Sequence, residues 1–186
     1  EYGCESDKKE EDECGYESHI KEDSNPRTDK QETLDGSEDK KNDEEIELAS
    51  HGCLLWGKAH TEYNQSTMGY VGGQNDDFEY GVSYLERGGS FHNLIGFMES
   101  HDEERLMYNN LLYGNSSGNY DIQELNTSLK RMGQAAAFFF TVPGPKMLWQ
   151  FGELGYDYSI NFPSNTDESR TAPKPVKWDY KEDYYR

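Results

Sequence analysis

From residue 43 onward the chain alternates short apolar runs with longer polar stretches, and the runs are of two kinds. Gly52–Gly57 (Gly-Cys-Leu-Leu-Trp-Gly), Leu94–Met98 (with Leu94, Ile95, Phe97 and Met98) and Lys146–Phe151 are brief and bounded by glycine or polar residues. Such runs suit strands buried on both faces, as in a parallel sheet. The second kind is Ile122–Phe140, where Ile122, Leu125, Leu129, Met132, Ala136 and Phe139 recur at spacings of three and four. That spacing predicts an amphipathic helix. Asp121 is placed as its N-cap with Glu124 completing a capping box, and Pro143 and Gly144 stop it. Helical character also begins at Asp43–Ser50, where Glu44 and Glu45 precede Ile46 and Leu48 and complement the helix dipole. Thr61–Met68 and Phe78–Glu86 read as short helices and Val71–Asp77 as a loop. Gly114–Gly118 reads as a turn, and the chain is loop-like from Tyr156 on.

Strands alternating with helices imply parallel βαβ units, so the expected fold class is α/β. Three strands with one clear crossover helix do not close a sheet, and a (β/α)₈ barrel takes about 200 residues or more. If barrel-like, the chain is part of one.

The start of the chain is different. Residues 1–47 hold 7 Lys/Arg and 19 Asp/Glu, a net of −12 within the −19 of all 186 residues. Few apolar residues interrupt this charge, too few to offset the entropy of ordering the chain. Residues 1–42 are therefore expected to be a disordered acidic tail, with residues 43–186 as the folded segment. The acidity argues against a nucleic-acid partner, whose phosphates it would repel. The longest apolar run, Ala135–Val142, is too short to span a bilayer. Glu1 stands first and no leader pattern follows, which suggests a chain processed or cut from something longer. Three cysteines (Cys4, Cys14 and Cys53) argue against a stapled secreted scaffold and incline the reading toward a cytoplasmic setting, although a Cys4–Cys14 bridge is compatible with the spacing. There is no metal-ligand spacing, calcium loop or phosphate-binding glycine motif, so neither a metal nor a cofactor is expected.

The candidate chemistry lies where Leu94–Met98 turns abruptly polar, at Glu99-Ser100-His101-Asp102-Glu103-Glu104-Arg105. His101 and Asp102 fall at the carboxyl end of a buried strand, the edge where α/β architectures collect ligands and catalytic groups. Each has a plainer role available: His101 bonded to nearby backbone, and Asp102 as N-cap of the segment that follows. Glu99 and Arg105 read as a structural ion pair. Trp56, Tyr63, Trp149 and Tyr156 are all able to stack on a sugar ring, but aromatic residues in or beside strands are more often core.

At these residues the chain resembles the α-amylase superfamily of glycoside hydrolases (family thirteen). Phe97-Met98-Glu99-Ser100-His101-Asp102 resembles the signature at the end of that family's seventh barrel strand, in the Glu-Ser-His-Asp form of glucan branching enzymes. Thr141–Gly155 resembles the eighth strand and its glycine-acid turn, with Gly152-Glu153 lacking the extra acid of the common form. Arg170-Thr171 with Lys174-Pro175-Val176 and Trp178 is similar to the segment leading toward the family's C-terminal β-domain. The resemblance implies the last three βα units of a (β/α)₈ TIM barrel over residues 43–186. It implies an α-glucan or oligosaccharide substrate, Asp102 as the catalytic transition-state stabiliser, and His101 and Glu153 as substrate-binding residues. The retaining double displacement also needs a nucleophile and an acid/base about 5–5.5 Å apart. No Gly-Phe-Arg-x-Asp motif supplies the first. Spacing puts the second near Glu38, within Ser37-Glu38-Asp39-Lys40-Lys41, which is no apolar strand end. The segment is thus expected to be inactive alone. The alternative is a non-catalytic carbohydrate-binding or interaction protein.

Overall fold

The computed structural model describes residues 36–72 and 77–183, with side chains from residue 43 onward. Most of the expected tail, the Cys4–Cys14 pairing and the Glu38 side chain lie outside that range.

Strands β1 (Leu55–Trp56) and β2 (Leu94–Ile95) pair in parallel, with Leu55 opposite Leu94 and Trp56 opposite Ile95. Leu55 N donates to Asn93 O at 2.8 Å and Gly57 N to Ile95 O at 2.9 Å. Beyond β2, Gly96 forms a parallel bridge with Lys146: Gly96 N donates to Pro145 O and Met147 N to Gly96 O, both at 2.9 Å. The three apolar runs therefore lie side by side, parallel and in chain order. This is a mixed α/β domain, but the described residues close no barrel.

The strands are also shorter than the apolar runs that contain them. Gly52–Gly57 keeps two strand residues and Lys146–Phe151 a single bridge. One close contact and one change of surroundings accompany the shortening. Helix α3 (Glu79–Val82) crosses so close to the end of β1 that a methyl on Gly57 would sit 2.7 Å from Gly81 O. After Gly96, Phe97 and Met98 are buried at 7% and 5% exposure, outside the ladder.

Helices α2 (His60–Met68), α4 (Leu106–Tyr113) and α5 (Leu125–Thr141) pack on one another. Tyr63, Met98, Leu106, Met107, Met132 and Phe139 form the centre of that packing, with Leu106 and Met107 fully buried. Each large apolar side chain so buried stabilises the fold by about 1.5–3 kcal/mol. The stripe of α5 is the predicted one: Met132 and Phe139 are buried, with Leu125 and Leu129 packed against the core.

The start of α5 differs from expectation. Asp121 belongs to a hairpin, β3 (Ser116–Ser117) with β4 (Tyr120–Asp121), and its Oδ1 accepts from Gln123 N at 3.0 Å. Glu124 takes the N-cap position without a side-chain bond, so the capping box does not form. At the other end of the domain, α1 spans Gly36–Ser50 and begins ahead of Asp43. Its Glu45 pairs with Arg87, which is 7% exposed. Arg87 Nη1 in turn donates to Trp56 O at 2.7 Å. Because Leu55 and Gly57 direct their amides at β2, the Trp56 carbonyl belongs to the outer edge of β1, and Arg87 seals it.

Candidate functional site

The polar switch after β2 separates four side chains by burial. Ser100 Oγ accepts from Asp102 N at 3.1 Å and donates to Glu103, a short side-chain-to-backbone turn. That turn leaves His101 and Asp102 exposed, with 71% and 65% of their side chains accessible, while Glu99 and Arg105 are buried. Asp102 caps no helix: α4 starts at Leu106 with Arg105 at its N-cap position. The Asp102 carboxylate is thus available to other partners.

His101 Nε2 lies 3.3 Å from Asp102 Oδ2. On the other oxygen, Arg170 Nη2 lies 3.9 Å from Oδ1, and it donates to the Asp102 carbonyl. The Trp149 ring stands 5.8 Å from the imidazole, tilted by 43°. These four residues line one concavity of about 320 Å³, together with Arg105, Phe151 and Tyr156. Asp102 is the only carboxylate among the described residues lining it.

The shape of the site rests on the buried pair beside it. Arg105 Nε meets Glu99 Oε2 at 2.7 Å, as the sequence suggests. Arg105 Nη2 donates to Gln150 O at 2.6 Å, and its guanidinium carbon lies 4.7 Å from the Tyr156 ring centre. Glu104 accepts from Ser159 Oγ at 2.7 Å and from Ile160 N at 2.8 Å. Glu104 and Arg105 therefore hang the 150–160 loop beside the His101–Asp102 turn. Within that loop Phe151 holds a left-handed backbone, φ 64°, which costs a non-glycine residue on the order of 1 kcal/mol. The Tyr156 ring stacked on it at 5.8 Å and Trp178 edge-on at 4.9 Å keep it there.

Electrostatics follow burial. Desolvation pushes the Glu99 carboxyl up to about 7 against the pull of Arg105, and it lowers the Arg105 guanidinium from its ordinary value. Desolvation likewise pushes Tyr156 up to about 12, with Arg105 opposing.

Glu153, expected beside His101 and Asp102, is not brought to them. It is exposed and borders a different cavity, with Met98, Phe140 and Leu148. Of the four aromatic candidates Tyr63 is core, Trp56 packs edge-on against Phe97, and Tyr156 is 4% exposed. Only Trp149 of the four presents its ring beside the imidazole. Arg170, marked in the sequence only for its likeness to a later segment, is not assigned to the site there, because its neighbour lies 68 residues earlier and no local pattern links them.

The fold and site together define a small mixed α/β domain carrying an imidazole, a carboxylate and an indole at the carboxyl end of its middle parallel segment. An acceptor pair of this kind can bond adjacent hydroxyls while the indole packs on an apolar ring face. No protein-family model matches this chain, and no curated protein matches it. No described helix is long and apolar enough to cross a membrane.

Proposed function

We propose that residues 43–186 are the last part of a (β/α)₈ catalytic barrel of an α-glucan-active glycoside hydrolase or branching enzyme. Asp102 is its transition-state stabiliser and His101 its hydroxyl-binding partner. The observation that carries this reading is the placement of both side chains beside Trp149 in one concavity at the carboxyl end of β2. In a barrel that end holds the active site. The sequential parallel order of the three apolar runs supports the same reading.

In this role the Asp102 carboxylate bonds sugar hydroxyls most strongly as the ring distorts toward the transition state. The imidazole shares those hydroxyls and Trp149 packs the ring face. The chemistry also needs a nucleophile and an acid/base, so the chain alone binds without cleaving. The test is titration of the purified chain with maltoheptaose, followed by calorimetry and by release of reducing ends. Saturable binding that Asp102→Asn weakens tenfold or more, without cleavage, is expected. No binding, or cleavage that survives Asp102→Asn, ends the proposal.

A second reading, a non-catalytic carbohydrate-binding protein, is favoured by Arg87. A further strand pairing with β1, as a complete barrel requires, would have to displace its bond to the Trp56 carbonyl. The two readings separate on joining the chain to candidate upstream barrel segments. Regained hydrolysis supports the first, and unchanged binding alone supports the second.

A further inference from the structure

A second cavity, of about 310 Å³, lies between α2 and α5, away from His101 and Asp102. That volume is at the lower end of small-molecule sites, about 300–1,000 Å³. Its aromatic lining is Tyr63, Phe78 and Phe138. Tyr63 meets Phe78 edge-on at 4.9 Å, and Phe78 meets Phe138 edge-on at 5.1 Å. A further ring entering here would find both edges and faces to pack on.

Two polar side chains stand in this lining. Tyr63 is 3% exposed and lines the cavity. Tyrosine hydroxyls that are buried usually have a partner. Burial alone raises the pKa of this phenol, so it stays a neutral donor. Arg131 also lines the cavity. Its Nε donates to Thr67 O at 3.1 Å and its Nη2 to Ser66 O, the last carbonyls of α2. No carboxylate pairs with it among the described residues, in a chain with 37 Asp and Glu against 18 Lys and Arg. Its charge is met by these helix-end carbonyls and by no carboxylate among the described residues. Ser66 and Gln134 belong to the same lining.

We infer that this cavity binds a small aromatic carboxylate, its ring among Tyr63, Phe78 and Phe138 and its carboxylate toward Arg131. A carboxylate offers Arg131 a charge-assisted hydrogen bond, whereas a neutral alcohol offers only an uncharged acceptor. The site is independent of the carbohydrate reading.

The test is titration of the full chain with benzoate, benzyl alcohol and maltose, read by residue-assigned NMR shifts. Benzoate is expected to saturate with shifts at Tyr63, Gln134 and Phe138, and to bind at least tenfold more tightly than benzyl alcohol. Gln134→Glu places a like charge on an exposed residue of the lining, away from the packed core. It should weaken benzoate at least threefold, and Tyr63→Phe should weaken it to a smaller extent. Asp102→Asn should leave benzoate binding unchanged, which separates failure here from failure of the carbohydrate proposal. Equal affinity for benzoate and benzyl alcohol, shifts centred on His101 and Trp149, maltose binding in this cavity, or an unaltered benzoate affinity in Gln134→Glu would each overturn the inference.

Discussion

Two acid–base pairs stand within seven residues of one another. Glu99 with Arg105 is closed off from water, and His101 with Asp102 lies open to it. Their surroundings give them opposite tasks. The buried pair joins β2 to the loop carrying Gln150, and its charges have already exchanged water for each other and for backbone. The exposed pair retains its hydration and its spare hydrogen-bonding capacity, so a polyhydroxylated ligand can displace water from it at little cost. Rigidity and availability are thus divided between neighbours along one strand end.

The largest effect expected of any change here is from Arg105→Met, which strands Glu99 inside the protein. It should lower unfolding free energy by about 3–5 kcal/mol in urea denaturation. The double change Glu99→Leu with Arg105→Met should restore much of that loss. If the single change costs no more than an average surface substitution, the buried pair does not organise the site.

The next effect concerns pH. The Glu99 carboxyl is raised in the folded state to about 7. Between the ordinary carboxylate range and 7 the unfolded chain releases this proton and the folded one retains it. Its contribution to stability is therefore full below about pH 4 and is lost as pH rises through 7, on the order of 3 kcal/mol in total. Melts taken from pH 4 to 8 in wild type and Glu99→Gln should differ in slope, the variant being flatter over that window. Equal slopes would mean that Glu99 ionises normally.

Glu104→Ala removes the anchors of Ser159 and Ile160, and should cost about 1.5–3 kcal/mol, with broadened resonances confined to residues 150–160. The smallest stability effects belong to the open pair. His101→Ala should move unfolding free energy by no more than about 0.5 kcal/mol, and Asp102→Asn by a similar amount. Both should still reduce maltoheptaose affinity tenfold or more, the inverse of the Arg105 pattern. A variant of the open pair that proves strongly destabilising would erase the division between the two.

The sequence was most informative where a pattern ran long enough to average out local competition. The α5 stripe is one example, its apolar positions spread over several turns. Burial before the switch at Glu99 was legible too, but beyond it Glu99, Ser100 and Arg105 are buried against the polar pattern, because the fold pairs them internally. Strand length was not legible, since the close crossing of Gly81 over Gly57 is a tertiary contact. The cap of α5 was misjudged because Asp121 has two possible uses, and the hairpin with Ser116 claims it first. At the candidate site, His101 and Asp102 stand out in the sequence because they adjoin a buried run, and the structure sets both in one concavity. Trp149 could not be chosen from four aromatics, Arg170 is joined to Asp102 only through the fold, and Glu153, placed by analogy, borders a different cavity.

The guanidinium of Arg87 resting on the Trp56 carbonyl also bears on how this protein behaves when crowded. The outer edge of a two-residue strand that contains Trp56 and follows Leu54, each about half exposed, would be an inviting template for a stray β-segment from another chain. Any such segment would have to evict a cation already neutralised by Glu45. Recruitment into aggregates is therefore opposed on that flank, and the protein's exposure to misassembly shifts toward the side of Lys146 and Leu148.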